Sequence, residues 1–151
     1  MILKNLIKNY KLSPKKIAMQ DEKTSVNYEQ LLSHTFQTLK YLEKKGIKKK
    51  SKVLVLMDNS IEFAVLFICS LAMKFTIIPI NNFDTQNLNS LVKELNIKFI
   101  VSKKEFSPIL NEQKKKIIYI KFKKLNNKIQ FKVTDKKKYF YNEKKFDYII
   151  S

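Results

Sequence analysis

Four short runs of continuous apolar residues constrain this chain most: KVLVLM at 52–57, TIIPI at 76–80, IKFIVS at 97–102 and KIIYIKF at 116–122. A strand with one wet face alternates apolar with polar residues. A strand covered on both faces has no need to, and reads as an unbroken apolar run. Between the runs lie stretches with helical apolar spacing. The alternation of strand and helix predicts an α/β fold: a mostly parallel sheet flanked by helices.

The helices have readable ends. Asn27 with Gln30 three residues on forms a capping-box pattern. Apolar residues then recur at Tyr28, Leu31, Leu32, Phe36, Leu39 and Leu42, one helical stripe. Gly46, the only glycine, falls where a left-handed residue ends a helix. Asn59 with Glu62 suggests a second capping box, before a helix over 61–74 that is apolar nearly all round. A third helix starts at Asp84 or Thr85, carries Leu88, Leu91, Val92 and Leu95 on one face, and ends at Asn96. Ser107–Pro108 marks a further helix start. Ahead of all this, Ile2, Leu3, Leu6, Ile7 and Tyr10 form a short amphipathic helix closed by Pro14. KIAMQD and TSVN then read as a hairpin with a polar turn at Asp21–Lys23.

Composition narrows the function classes. At 151 residues and 44% hydrophobic, the chain can build a core, as one domain or part of a larger one. One Cys excludes a disulfide framework and a cysteine zinc cluster, and a single His, His34, leaves little room for a histidine metal site. The net charge of +18 suggests a nucleic-acid or membrane-surface role. All 31 basic residues are Lys, however, and bidentate reading of phosphate and guanine favours Arg. Together with the abundance of Ile and Asn, this reads as a compositional bias, with no specific nucleic-acid partner. A lone glycine leaves no phosphate-cradling glycine loop.

No signal peptide is evident, because Lys4, Lys8 and Lys11 interrupt the opening apolar residues. The 18 residues 63–80 contain only Lys74 as a charge. A span needs about 20 apolar residues, and a central Lys costs roughly 2.5–3.5 kcal/mol on insertion. No membrane span is expected, and the location is expected to be cytoplasmic.

Few side chains suggest chemistry. Asp58, Asn59 and Ser60 follow a buried strand at its C-terminal end, where open α/β sheets place ligands. They are the cleft candidates, and the plainer reading makes them a turn and helix cap. His34 lies off the apolar stripe and reads as a surface histidine. Cys69 reads as a buried, inert thiol, and Met19, Met57 and Met73 as core filler. The lysine runs at 48–50, 114–116 and 136–138 read as solvated. Tyr139–Tyr141 fit a hairpin strand better than a base-stacking platform.

Four stretches in order resemble the N-terminal part of the adenylate-forming (AMP-binding) superfamily of acyl- and aryl-CoA synthetases, peptide-synthetase adenylation domains and luciferases. They are SPKKIAMQDEKTSVNYEQLL, YLEKKGIKKKSKVLVLMDNSIEF, LAMKFTIIPIN and LVKELNIKFIVS. The resemblance implies an N-terminal α/β subdomain over 1–122, a Lys-rich hairpin or linker over 123–145, and over 146–151 the start of the strand that leads to the family's phosphate loop. It departs from the family at Lys50–Ser51, where Gly–Asp is usual, and at Lys74–Phe75, where Gly–Ala is usual. Loss of the second Gly predicts looser helix–strand packing.

The resemblance also implies the chemistry. The parent activity is an ATP-dependent, Mg²⁺-assisted activation of a carboxylic acid, with transfer to CoA or a carrier-protein thiol. The phosphate loop and the C-terminal lysine lie beyond the residues matched. So no catalytic, nucleotide-binding or metal residue carries over, no cofactor is expected for this chain alone, and alone it is expected to be inactive. Its partner would be the remainder of the AMP-binding domain in cis, or a complementary chain. The alternative is a non-catalytic basic α/β module that binds RNA or an acidic partner.

Overall fold

The computed structural model describes residues 2–22, 24–80, 85–102 and 116–119. In chain order the elements are α1 (Ile2–Leu12), β1 (Ile17–Gln20), β2 (Ser25–Asn27), α2 (Tyr28–Lys44), β3 (Lys52–Leu56), α3 (Ile61–Met73), β4 (Thr76–Pro79), α4 (Thr85–Glu94), β5 (Phe99–Ser102) and β6 (Lys116–Tyr119). The expected helix start at Ser107–Pro108, the hairpin over 123–145 with Tyr139–Tyr141, and the strand over 146–151 lie outside the described residues. So do the side chains of the lysine runs at 114–116 and 136–138.

The fold is α/β. β1 and β2 pair as an antiparallel hairpin. The main sheet is parallel, in the order β4–β3–β5–β6. β3 has neighbours on both sides, which its unbroken apolar sequence requires. Val53 and Val55 face a core shared with α1, α2 and α3, whereas Leu54 and Leu56 face a second core with Leu88 and Val92 of α4. Burying one such side chain stabilises the fold by about 1.5–3 kcal/mol. β3 is thus the hinge of the architecture, with helices on both of its faces.

The predicted caps form. The Asn27 side chain accepts from the Gln30 amide at 2.8 Å, and the Gln30 side chain accepts from the Asn27 amide at 3.0 Å. Gly46 is left-handed at φ 91°, and the Ile47 and Gly46 amides donate to Leu42 and Glu43. Asn96, at φ 52°, ends α4 in the same way, with Ile97 donating to Val92 and Asn96 to Lys93. Both endings are the paired-bond Schellman arrangement.

Four expectations are corrected. The start of α3 is capped by Ser60, not Asn59. The Ser60 hydroxyl accepts from the Phe63 amide at 3.3 Å, which puts Glu62 one position too early for a capping box. The frame is set by Ile61, which must be buried and is therefore the first helical residue. β4 is half-buried, not fully buried: Ile77 packs on one core and Ile78 on the other, but it is the outermost described strand, with Thr76 and Pro79 exposed. An outer strand tolerates Pro79, which has no N–H to give to a further neighbour.

His34 is buried, not on the surface, because α3 covers α2 beyond its narrow apolar stripe. Finally, helix–strand packing survives the Gly–Ala departure. Lys74 itself adopts the left-handed backbone (φ 59°), Ala72 and Phe75 stay buried, and the Phe75 amide donates to Ser70.

Candidate functional site

The strand order reverses about β3. The chain leaves β3 through α3 to reach β4 on one side, then returns through α4, on the opposite face, to reach β5 on the other. A crevice at the C-terminal end of such a strand is where open α/β sheets bind ligands. Met57, Asp58, Asn59 and Ser60 occupy that end of β3, and Ser102 ends β5 beside it.

These positions differ in what they offer. Met57 is buried. Asp58 and Asn59 are exposed. The Ser60 hydroxyl is engaged as the α3 cap. Buried Ser102 donates to the Leu56 carbonyl at 3.4 Å, stitching the two strand ends together. Among the described residues, the polar side chains exposed at this end are therefore the Asp58 carboxylate and the Asn59 amide.

A group missed in the sequence reading joins them. Asp21, in the hairpin turn, accepts from the Ile61 amide at 3.4 Å through Oδ2. Its Oδ1 accepts from the Thr24 amide at 2.8 Å and the Thr24 hydroxyl at 3.0 Å. One carboxylate thus shapes the turn and holds it against the positive end of α3. Aspartate in a short polar turn was legible. Its reach to a helix forty residues later was not.

Beneath this end, α2 and α3 meet through a polar seam. Ser33, His34, Thr35 and Thr38 are buried on α2. Burial lowers the His34 pKa below its ordinary value of 6.5, and nearby Glu62 opposes that shift. The Cys69 thiol contacts the Thr35 carbonyl at 3.6 Å, and burial pushes its pKa upward. Such a thiol is inert. Met57 is core, and Met19 and Met73 pack at its margin.

Among the described residues, no group of three or more His, Cys, Asp or Glu could hold a metal ion. One exposed carboxylate and one amide do not surround a triphosphate, whose charge calls for several convergent donors and a cation. The described residues at this end do not by themselves fit ATP and Mg²⁺. Among them, no helix is long and apolar enough to cross a membrane.

The family model for AMP-binding enzymes matches residues 7–146. This chain belongs to the AMP-binding enzyme family. Solved structures agree on the fold. VinN matches with a TM-score of 0.69 at 18% identity, over 80% of this chain and 31% of VinN. The N-terminal domain of FACL13 from Mycobacterium tuberculosis matches with 0.67 at 21% identity, over 78% of this chain and 33% of that one. MenE from Bacillus subtilis, an o-succinylbenzoate CoA synthetase solved with its acyl-adenylate intermediate, matches with 0.63 at 16% identity, over 75% and 30%. No curated protein sequence matches. The chain spans about a third of the length of these structures.

Proposed function

We propose that this chain is the N-terminal α/β part of an ATP-dependent ligase that activates a carboxylic acid as its acyl-adenylate, in the manner of acyl-CoA synthetases. The observation that carries this reading is the family match over 7–146, on a fold whose sheet reverses direction at the Asp58–Ser60 end of β3. In this reading residues 1–122 are the subdomain proper, 123–145 a Lys-rich hairpin or linker, and 146–151 the opening of the strand that leads to the phosphate loop.

The exposed end of β3 fits a division of labour. Here Asp58 and Asn59 line one side, while the nucleotide, Mg²⁺ and thiol-acceptor sites belong to the remainder of the AMP-binding domain, in cis or on a complementary chain. The α3 helix fits such an assembly. It is apolar nearly all round and leaves Phe67 and Leu71 about half exposed (47% and 48%). A helix apolar on every face belongs in the interior of a larger protein.

The test is ATP–pyrophosphate exchange over a panel of carboxylic acids. The native gene product purified from its source cells should exchange pyrophosphate in an acid-dependent way, and the 151-residue chain alone should remain at background. Acid-dependent exchange by the isolated chain would overturn the division of labour. A native gene product that exchanges with no acid would overturn the ligase reading.

A further inference from the structure

The segment that joins α1 to β1 reads KLSPKKI over Lys11–Ile17. It holds the two most exposed large apolar side chains among the described residues, Leu12 at 70% and Ile17 at 59%. Between them lies a tight turn, closed by the Lys16 amide donating to the Ser13 carbonyl at 3.2 Å. The turn is fastened through its backbone. The Ser13 amide donates to Asn9 at 2.8 Å, and the amides of Glu29 and Tyr28 donate to the Pro14 and Lys16 carbonyls at 3.0 and 3.1 Å. A backbone bonded to α1 and α2 thus holds two aliphatic side chains in the open.

Neither side chain serves the core. The buried residues of α1 are Leu3 and Leu6. Leu12 falls instead in line with Lys4 and Lys8, at four-residue spacing on the exposed face. In β1, Ala18 and Met19 pack against the core, whereas Ile17 is exposed. A single exposed aliphatic residue is ordinary. Here two of them flank one turn, with exposed Lys11, Lys15 and Lys16 beside and between them. The first 20 residues contain no carboxylate. Glu29 of α2 accepts from Lys15, and Asp21 and Glu22 lie at the far end of the hairpin from Ile17.

The residue types select among anionic partners. Lysine alone would meet any of them. A nucleic-acid strand is held by aromatic stacking as well as charge, and residues 11–17 contain no aromatic side chain. Protein interfaces are rich in aromatic residues and Arg and poor in Lys, the reverse of this segment. Exposed Leu and Ile ringed by Lys suit a lipid surface. Aliphatic tips enter the boundary between headgroups and acyl chains, and lysine stems lie along them with the ammonium groups at the headgroups.

We propose that the Leu12–Ile17 turn docks on an anionic lipid bilayer, seating both aliphatic side chains at the headgroup boundary while the surrounding lysines meet the lipid anions. The contact lies on the membrane and does not span it. It stands apart from the ligase reading, because it uses none of the residues at the Asp58–Ser60 end of β3.

The test is co-sedimentation of the 151-residue chain with phosphatidylcholine vesicles, made with and without phosphatidylserine, alongside binding to inorganic polyphosphate. The chain should bind vesicles that contain phosphatidylserine and stay near background on phosphatidylcholine alone. L12S/I17T removes the aliphatic tips and leaves the charge unchanged. It should weaken vesicle binding about tenfold or more, yet shift polyphosphate binding less than about threefold. L71S, which trims an exposed aliphatic of α3 instead, should change vesicle binding less than about threefold. Circular dichroism confirms the fold of each variant. Undiminished vesicle binding by L12S/I17T would overturn the proposal, because charge alone would then suffice. So would an equal loss from L71S, an equal loss on polyphosphate, equal binding to both kinds of vesicle, or no binding to phosphatidylserine vesicles.

Discussion

The amide of Lys50 donates to the carbonyl of Lys74 at 2.9 Å, and both residues hold left-handed backbone. One precedes β3 and the other precedes β4. The bond ties the two strand entries together one step before the ladder begins, and the Thr76 amide then donates to Ser51 at 2.8 Å. Side chains disfavour this backbone region, and a non-glycine residue held there costs of order 1 kcal/mol or more. The neighbouring bonds over-determine the conformation, so lysine tolerates it.

Lys50→Gly and Lys74→Gly should therefore each stabilise the chain. Glycine relieves the strain but enlarges the entropy of the unfolded chain, so the net gain is about 0.5–1 kcal/mol apiece. Urea midpoints should rise with m unchanged. Because one hydrogen bond joins the two residues, the double variant should depart from additivity. A fall in midpoint for either single variant would contradict the strain assignment.

The helix ends show how far sequence reading reaches. Asn27–Gln30, Gly46 and Asn96 were legible because each uses a residue with a local chemical reason to be there. Strand placement was legible wherever a run is apolar on both faces, as in β3. The edge position of β4 was not, because TIIP has the same composition as a covered strand and only pairing decides. At the candidate site, the location at the end of β3 followed from the alternation of elements. The duties of its residues did not, because Asn59 and Ser60 are equally good caps in isolation and burial of Ile61 chooses between them.

That choice makes a sharp prediction. Ser60→Ala should cost about 1 kcal/mol, the usual worth of an N-cap side chain. Asn59→Ala, exposed and outside the cap position, should stay within about 0.5 kcal/mol. Denaturant melts of the two variants measure the difference, and the reverse order would move the cap to Asn59.

Asp21→Ala tests the link between hairpin and helix. It removes an acceptor from the Ile61 amide and two from the Thr24 side. Hydrogen bonds to a charged group are each worth about 1.5–3 kcal/mol, less where exposed. The variant should lose roughly 1–2 kcal/mol, and amide exchange should quicken in β1, β2 and the first turn of α3 together. Faster exchange confined to the hairpin would mean that the Ile61 contact contributes nothing.

Cys69 is the only cysteine in the sequence, which makes it a clean reporter. It is buried on α3 with its thiol pKa pushed upward, so little thiolate is present and no reagent reaches it. The native chain should react with a disulfide reagent only through unfolding. Its rate should therefore rise with urea in step with the unfolded fraction. Rapid labelling in native buffer would contradict the burial of α3 against α2.

His34 sets a pH dependence whose sign can be worked out. Burial lowers its folded pKa below 6.5, while the unfolded chain keeps the ordinary value. Between those two values the unfolded state binds more protons than the folded state, so stability rises with pH there. Neutral His34 is therefore compatible with the fold above pH 6.5. Acidification through 6.5 should erode stability until the folded pKa is passed. Glu62 opposes the shift by favouring the charged imidazole. Glu62→Gln should accordingly lower the folded pKa further and steepen the loss. His34→Gln should flatten the dependence between pH 5 and 7. Urea midpoints across that range, with imidazole proton shifts followed by NMR, separate the two contributions. An imidazole that titrates above 6.5 would reverse the sign and show that Glu62, not burial, governs the site.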